Sequence, residues 1–243
     1  MNDRDIVDRL EELKLQLEFI QELGVDFLIY SARPEGEKKT ERREFNRLRT
    51  YDDIQTNEEE EWEKLDRQIM NCQFCPLFKT RIQAVPGEGK REARLMFVGE
   101  APGKDEDIQG RPFVGRAGQL LTRIIKAMGF ERNQVYIANV VKCRPPENRT
   151  PRPDEIRACS PYLIKQIELI KPEVIVALGK VAAEFLLTTT KSMSELRGNF
   201  GDFQGIPVMP TFHPSYLIRN EGNQKIKKMV WEDMKKVMKL LGA

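Results

Sequence analysis

Four short apolar segments, separated by stretches with helical periodicity, constrain the fold of this chain more than any other feature. The apolar segments cover residues 95–98, 135–138, 174–178 and 206–209. Each has the length of a strand that is buried on both faces. The helical patterns cover residues 116–128, 153–170, 179–187 and 224–241. Because this alternation favours parallel strands with helices on both sides, we predict an α/β fold, a three-layer α/β/α sandwich around a central, mostly parallel four-stranded sheet.

The four cysteines of the chain form an asymmetric pattern. Cys72 and Cys75 can hold one metal centre from a single turn, whereas Cys143 and Cys159 must approach it from a distant segment. Four thiols in a chain without a secretory signal favour a bound metal centre over disulfides. A zinc site with four cysteines more often repeats the short spacing in both halves, so the pattern favours an iron–sulfur cluster over zinc. Four buried cysteines without a metal are the remaining alternative.

Charge divides the chain into an acidic leader and a basic main part. Residues 1–70 carry 12 Lys and Arg against 20 Asp and Glu, and residues 71–243 carry 28 against 18, which gives net charges of −8 and +10. The basic part favours a polyanionic partner, although uneven charge on an ordinary surface is the alternative. We predict an acidic helical extension and linker over residues 1–60 and one domain over residues 61–243. Within the extension, an amphipathic helix at 5–23 is expected to dock on the main domain or on a protein partner, and 33–61 is expected to be mostly linker.

The sequence shows no signal for export or for membrane insertion. It has no run of about 18 apolar residues, and its acidic N-terminus has no apolar core. We therefore predict no membrane contact and a cytoplasmic location, where thiols stay reduced.

Polar residues follow three of the four predicted strands directly. Glu100 and Glu106 come after the first strand, Asn139 after the second, and His213, the single histidine, after the fourth. Because the carboxyl ends of parallel strands share one edge of the sheet, we expect these side chains to converge in a ligand crevice. The segment 99–103 is rich in Gly and Pro, which allows close approach of a ligand, but it matches neither a P-loop nor a dinucleotide-binding fingerprint.

Three motifs at this edge resemble those of the family 4 uracil-DNA glycosylases. The segments GEAPGKDED at 99–107 and GRPFVG at 110–115 resemble the first motif of that family, and HPS at 213–215 resembles the second motif of the uracil-DNA glycosylase superfamily. The cysteine spacing is similar to the family's [4Fe-4S] ligand set, and CRPPENR at 143–149 resembles its cluster-proximal loop. The resemblance covers about residues 66–240. It implies a prokaryotic, nucleoid-associated DNA repair enzyme that hydrolyses the N-glycosidic bond of deoxyuridine, releases uracil and leaves an abasic site.

The resemblance also implies how the flipped base is bound. Phe113 is expected to stack on uracil, and the amide of Asn139 complements both O4 and N3–H of its Watson–Crick edge. His213 is expected to donate a hydrogen bond to O2, where negative charge develops as the bond breaks. An ordinary core phenylalanine and a structural asparagine are the alternatives for the first two.

The attacking water needs a residue that positions it. Related enzymes use an Asp or Asn early in the first motif, but this chain has Ala101 there, a substrate-binding position without a basic side chain. We predict that Glu100, and after it Glu106, positions the water, with help from Asn148. Glu106 is alternatively expected to exclude the 5-methyl group of thymine. For both glutamates, a purely structural role at a helix start is the alternative.

Two further segments are expected to contact DNA. The segment after His213 resembles a loop that enters the duplex, so that Leu217 would fill the vacated space and Arg219 would hold a phosphate. Arg144, Arg149, Arg152 and Lys142, beside the cluster, would form a second basic patch, and the cluster would fold the cluster-proximal loop.

Three other functions stay open beside this one. An electron carrier is disfavoured by the strand-end motifs, and a non-catalytic iron–sulfur DNA-binding protein is disfavoured by the intact set of Glu100, Asn139 and His213. Pocket residues alone do not distinguish uracil from another deaminated base. We expect a monomer that acts on uracil-containing DNA, single- or double-stranded.

Overall fold

The structure is a computed structural model that describes residues 51–242 of the chain. The chain divides into two compact units, residues 1–65 and 66–243, and the second contains the sheet and the sites described below. The predicted helix at 5–23 lies outside the described residues, so the division at residue 60 and the docking role of the extension stay predictions. Helix α1 spans Tyr51–Met70, so the segment predicted as linker is helical from Tyr51 onward. In the described part, no helix is both long and apolar enough to cross a bilayer.

A single six-stranded sheet forms the centre of the second unit, with the strand order β1-β3-β2-β4-β6-β5. The strands are β1 (Glu88–Gly89), β2 (Leu95–Gly99), β3 (Tyr136–Asn139), β4 (Val174–Leu178), β5 (Gly201–Phe203) and β6 (Ile206–Thr211). The four predicted strands are present and pair in parallel as β3, β2, β4 and β6. The predicted count of four strands is corrected to six, because β1 and β5 add antiparallel edges.

Both edge strands are too short to produce a periodic signal. β1 has two residues and β5 has three. β5 joins β6 through Gln204 and Gly205, which both have positive φ, as in the two-residue turns that match the twist of a hairpin. Such short strands are ordered by pairing with a neighbour that is already formed.

Helices cover both faces of the sheet. They are α2 (Lys104–Gln109), α3 (Arg116–Ala127), α4 (Pro153–Ile170), α5 (Lys180–Leu187), α6 (Met193–Leu196), α7 (Pro214–Arg219) and α8 (Gln224–Leu241). On one face, apolar residues of α3 and α8 share a core with Phe97 and Val176 of the strands. On the other face, Gln166 of α4 bonds to the hydroxyl of Tyr136 in β3. The three-layer arrangement predicted from the sequence is confirmed.

Candidate active site

Two predicted site residues, Asn139 and Phe113, lie close together beside Gly99, at the carboxyl ends of β2 and β3. Gly99 and Asn139 are register partners, and the N–H of Val140 donates to the Gly99 carbonyl at 2.9 Å. A Cβ added to Gly99 would lie 2.5 Å from Asn139 Oδ1 and 2.5 Å from Phe113 Cζ. No side chain fits in that space, so the glycine lets Asn139 and Phe113 approach each other.

The amide of Asn139 is buried with its oxygen unsatisfied. Asn139 is 2% exposed. Among the buried side-chain nitrogen and oxygen atoms of the described residues, its Oδ1 is the one that has no hydrogen-bond partner. An unsatisfied buried acceptor costs about 1–3 kcal/mol. A bound ligand that donates a hydrogen bond to this oxygen would explain why it has no partner within the protein.

Phe113 is held in a strained backbone conformation. Its φ is 53°, in the left-handed region that a bulky residue rarely adopts, at a cost of about 1–3 kcal/mol. The two amides that follow it, those of Val114 and Gly115, donate to Glu106 Oε1 at 2.8 and 2.9 Å. A Cβ on Gly118 would lie 1.8 Å from the Phe113 carbonyl oxygen, so α3 also packs directly against this backbone. The ring is therefore fixed by the loop around it.

His213 lies beside Phe113 and presents one nitrogen as a donor. The two ring centroids are 5.6 Å apart. His213 caps α7, where its Nδ1 accepts the N–H of Ser215 at 3.1 Å and lies 2.8 Å from Ser215 Oγ. Burial, followed by the charge of Arg219, lowers the pKa of His213 to about 4, so the ring is neutral at pH 7. With Nδ1 accepting, the neutral ring carries its proton on Nε2.

Glu100 follows Gly99 on the same edge and is partly buried. Burial raises its pKa above the usual value, whereas a hydrogen bond with Thr150 and the charge of Arg219 oppose that rise. The carboxyl is thus placed between the first motif, the cluster-proximal loop and α7. Thr150 was not among the predicted site residues, because nothing in its local sequence marks it.

The four cysteines come together at a second site. Cys72, Cys75, Cys143 and Cys159 line one cavity. Arg81 Nη1 donates to Cys143 Sγ at 2.9 Å, and the N–H of Lys142 donates to Cys159 Sγ at 3.1 Å. Burial raises the pKa of the Cys143 thiol and raises that of Cys159 to about 12. In residues 58–242, no group of three or more His, Cys, Asp or Glu side chains is arranged to hold a single metal ion.

Comparison with known proteins identifies the family. The sequence model of the uracil DNA glycosylase superfamily matches residues 86–235, which is more than half of the chain. The chain belongs to the uracil-DNA glycosylase superfamily. It is 51% identical over 180 residues to the type-4 uracil-DNA glycosylase of Thermotoga maritima, covering 73% of this chain and 93% of that protein. It is 46% identical over 187 residues to the type-4 enzyme of Sulfurisphaera tokodaii (73% and 84%) and 32% identical over 196 residues to the type-5 enzyme of Pyrobaculum aerophilum (65% and 84%). The predicted resemblance to family 4 is confirmed.

The structure gives Glu106 contacts that the sequence did not predict. Both carboxylate oxygens accept backbone donors: Oε1 binds the two amides after Phe113, and Oε2 binds the N–H of Gly103 at 3.1 Å. These contacts tie the first half of the motif to the Phe113 loop. Glu106 therefore positions this loop, and its roles in orienting water and in excluding thymine stay predictions.

Two residues of the cluster-proximal loop make contacts that the sequence did not predict. Arg149 makes a bidentate ion pair with Glu155, at 2.8 and 2.6 Å, and this pairing lowers the pKa of the buried Glu155 to about 2. Arg149 thus stabilises the loop, and its contact with DNA stays a prediction. Asn148 is exposed, and its Oδ1 accepts from Arg144 Nε at 2.7 Å, so the predicted help to the water has no contact in the described residues to support it.

The predicted wedge residue is part of the core. Leu217 is 5% exposed and packs with Ile226 and Val230. Because the segment is the helix α7, its apolar residue turns inward, while its neighbour Tyr216 is 37% exposed. Arg219 is exposed, and its charge acts on both Glu100 and His213, which places it beside the pocket. The phosphate contact of Arg219 stays a prediction.

Proposed function

We propose that this chain excises uracil from DNA in base-excision repair, hydrolysing the N-glycosidic bond of deoxyuridine to give free uracil and an abasic site. The observation that carries the proposal is the unsatisfied Asn139 Oδ1, buried between Gly99 and the Phe113 ring. Uracil supplies the missing donor with N3–H, and the amide nitrogen of Asn139 donates to O4. Cytosine has a donor at position 4 and no hydrogen on N3, so it would leave both amide groups mispaired.

The target base must leave the duplex to reach this pocket. Flipping costs a few kcal/mol and costs least from single strands or mismatches. Stacking on an aromatic ring returns roughly 1–3 kcal/mol. Phe113 serves this purpose because the loop contacts of Glu106 fix its ring before the base arrives.

His213 stabilises the leaving base. As the glycosidic bond breaks, negative charge develops on uracil O2, and an aligned donor lowers the barrier. The Nε2–H of a neutral His213 is that donor, since Ser215 occupies Nδ1. The low pKa keeps the ring neutral, so the donor needs no proton uptake.

Glu100 acts on the sugar side of the bond. In its ionised form it accepts a hydrogen bond from water and holds negative charge beside the sugar, which becomes positive in the transition state. Burial raises the pKa of Glu100, and the hydrogen bond with Thr150 and the charge of Arg219 act against that rise in favour of the ionised form. Ala101 has no side chain that could position water, and both oxygens of Glu106 are engaged by the main chain, so of the two glutamates we assign this role to Glu100.

We propose further that Cys72, Cys75, Cys143 and Cys159 hold a [4Fe-4S] cluster. The fit rests on four thiols around one cavity and on N–H donors from Arg81 and Lys142 aimed at sulfur. Burial alone disfavours the thiolates, and bound iron would stabilise them. When bound, the cluster supplies a cross-link between the segment around Cys72 and the loop at Cys143. A cytoplasmic location and a monomeric state stay predictions.

The test is excision from a labelled oligonucleotide that carries a single uracil, with thymine and hypoxanthine in matched oligonucleotides. Alkali cleavage reveals the abasic site. We expect cutting at uracil alone, and its loss in His213→Ala. A folded, iron-containing protein that binds the uracil oligonucleotide but never cuts it would remove the proposal.

A further inference from the structure

We propose that Lys142 is a positioning residue that couples the site of the four cysteines to the uracil pocket. When the cysteine-bearing segments are held in place, Lys142 holds Asn139 in the position in which its amide binds uracil. The inference rests on the proposed function and deepens it. It gives the cysteine centre a role in base binding, separate from any role in shaping a DNA-facing loop.

Lys142 is buried to a degree that is rare for a lysine. It is 1% exposed, and its Nζ donates to the Asn139 carbonyl at 2.9 Å and to Gln166 Oε1 at 2.6 Å. Neither acceptor is a carboxylate, and the negative groups whose charge acts on the ammonium are Cys159 and Cys143, when ionised, and Asp66. Burying an ammonium costs several kcal/mol unless it is well paired, and a methionine of similar length would avoid that cost. The lysine is therefore expected to do something that an apolar residue cannot.

The same residue touches both sites. Its main-chain N–H donates to Cys159 Sγ at 3.1 Å, and it precedes Cys143 directly. Its side chain returns to the end of β3 and binds the main chain of the residue whose amide reads uracil. One residue thus links two cysteine-bearing segments to Asn139.

Gln166 closes the connection on the far side. It lies on α4, the helix that carries Cys159. Its amide oxygen accepts from Lys142, while its nitrogen donates to Tyr136 Oη at 3.2 Å and to the Pro86 carbonyl at 2.9 Å. Tyr136 begins the strand that Asn139 ends. Helix α4 and strand β3 are consequently joined at two points through one buried amide.

The hydrogen bond from Lys142 to the Asn139 main chain matters because no protein group fixes the amide oxygen of Asn139 directly. Oδ1 has no protein partner, so its aim depends on the main chain that carries it. Paired hydrogen bonds to a base edge tolerate errors of only about 0.5 Å. Displacing α4 or the Cys143 loop would move Lys142, and with it the end of β3.

The test separates base binding from DNA binding. Lys142→Met removes the donors at nearly equal length, and Lys79→Met, at an exposed position near the cysteines, is the control with the same charge change. We would measure the affinity for free uracil by calorimetry, the affinity for uracil-free DNA by fluorescence anisotropy, and the iron content. We expect Lys142→Met to bind uracil roughly ten- to a hundredfold more weakly, the loss typical of residues that orient a site, with DNA affinity unchanged. Lys79→Met should bind uracil like the wild type.

Removing iron gives the second arm. Chelation should weaken uracil binding by the wild type, and should weaken it much less in Lys142→Met, where the connection is already cut. Wild-type uracil affinity in Lys142→Met, or equal losses on chelation in both proteins, would overturn the coupling. If Lys142→Met does not fold, Gln166→Met removes the link from α4 to Lys142 and to Tyr136 while the bond from Lys142 to the Asn139 carbonyl stays, and unchanged uracil affinity there would overturn the coupling as well. A wild type that excises no uracil would instead refute the proposed function.

Discussion

Replacing Asn139 with leucine should make the protein more stable while removing its activity. Leucine is close in shape to asparagine but has no polar atom. In the free protein, Asn139 is 2% exposed and its Oδ1 has no partner, so the substitution removes an unsatisfied buried acceptor. The bound base loses the complement of its Watson–Crick edge, because uracil O4 and N3–H would then face methyl groups.

The two effects have similar molecular origins and opposite signs. Relief of the unsatisfied oxygen is worth about 1–3 kcal/mol, and for a unit of this size each kcal/mol raises Tm by roughly 2–4 °C. The extra volume beside Gly99 opposes part of that gain. Two unsatisfied groups on bound uracil cost about 1–3 kcal/mol each, so kcat/KM should fall by roughly 30-fold to 10⁴-fold.

Guanidinium denaturation and single-turnover excision, on the same preparations, provide the measurements. Asn139→Ala is the companion variant, since it removes the oxygen without adding volume. The reasoning predicts that at least one variant unfolds at higher denaturant than the wild type while both lose excision. If both unfold at clearly lower denaturant, the oxygen is satisfied in solution, and the argument that it awaits uracil is refuted.

Three further predictions concern the surroundings of the pocket. The pKa of His213 is lowered to about 4, whereas an unfolded histidine titrates near 6.5. As the pH falls, the unfolded chain therefore binds the proton first. The stability contributed by the neutral ring is complete above about pH 6.5 and is lost as the pH falls towards about 4. The free energy of unfolding should therefore decrease with falling pH across this range, by an amount that His213→Gln lacks. Glu106→Gln weakens charge-assisted bonds to the loop that carries Phe113, so the single-turnover rate should fall roughly tenfold or more at unchanged affinity for uracil-free DNA, and an unaltered rate would contradict the positioning role. Leu217→Ala should lower the free energy of unfolding by about 2–5 kcal/mol, as expected in a core, whereas Tyr216→Ala, one residue away and exposed, should change it by less than about 1 kcal/mol; equal effects in urea denaturation would contradict the inward orientation of Leu217.

Some of the site could be predicted because it depends on order along the chain. Parallel strands carry the residues that follow them to one edge, so Glu100, Asn139 and His213 converge wherever the sheet forms. The four helices predicted at 116–128, 153–170, 179–187 and 224–241 match the structure almost to their ends, since α4, for example, begins at a Pro-Asp pair and shows a clear period, whereas the short helices α2 and α6 were not predicted. The cysteine spacing predicted one shared centre for the same reason: the residue types and their order are local facts.

Other features could not be predicted, because they depend on which atoms meet after folding. The sequence does not show that the Glu106 carboxylate accepts hydrogen bonds from three backbone amides. It also does not show that Arg149 forms an ion pair with the buried Glu155. An apolar residue in a segment expected to face DNA can either enter the duplex or pack in the core. Only the helical turn of α7 decided that Leu217 faces inward.

The sequence by itself determined the four parallel strands of the core, the edge on which the site lies and the chemical types assembled there, since each follows from periodicity and the identity of successive residues. The tertiary structure alone decided which polar groups are already satisfied and which are not. Hydrogen bonding is short-ranged and directional, so Glu106 and Arg149 are engaged by residues that approach only in the fold, while Asn139 Oδ1 is left buried and unpartnered. That difference separates the residues that build the site from Asn139, the residue that we propose recognises the base.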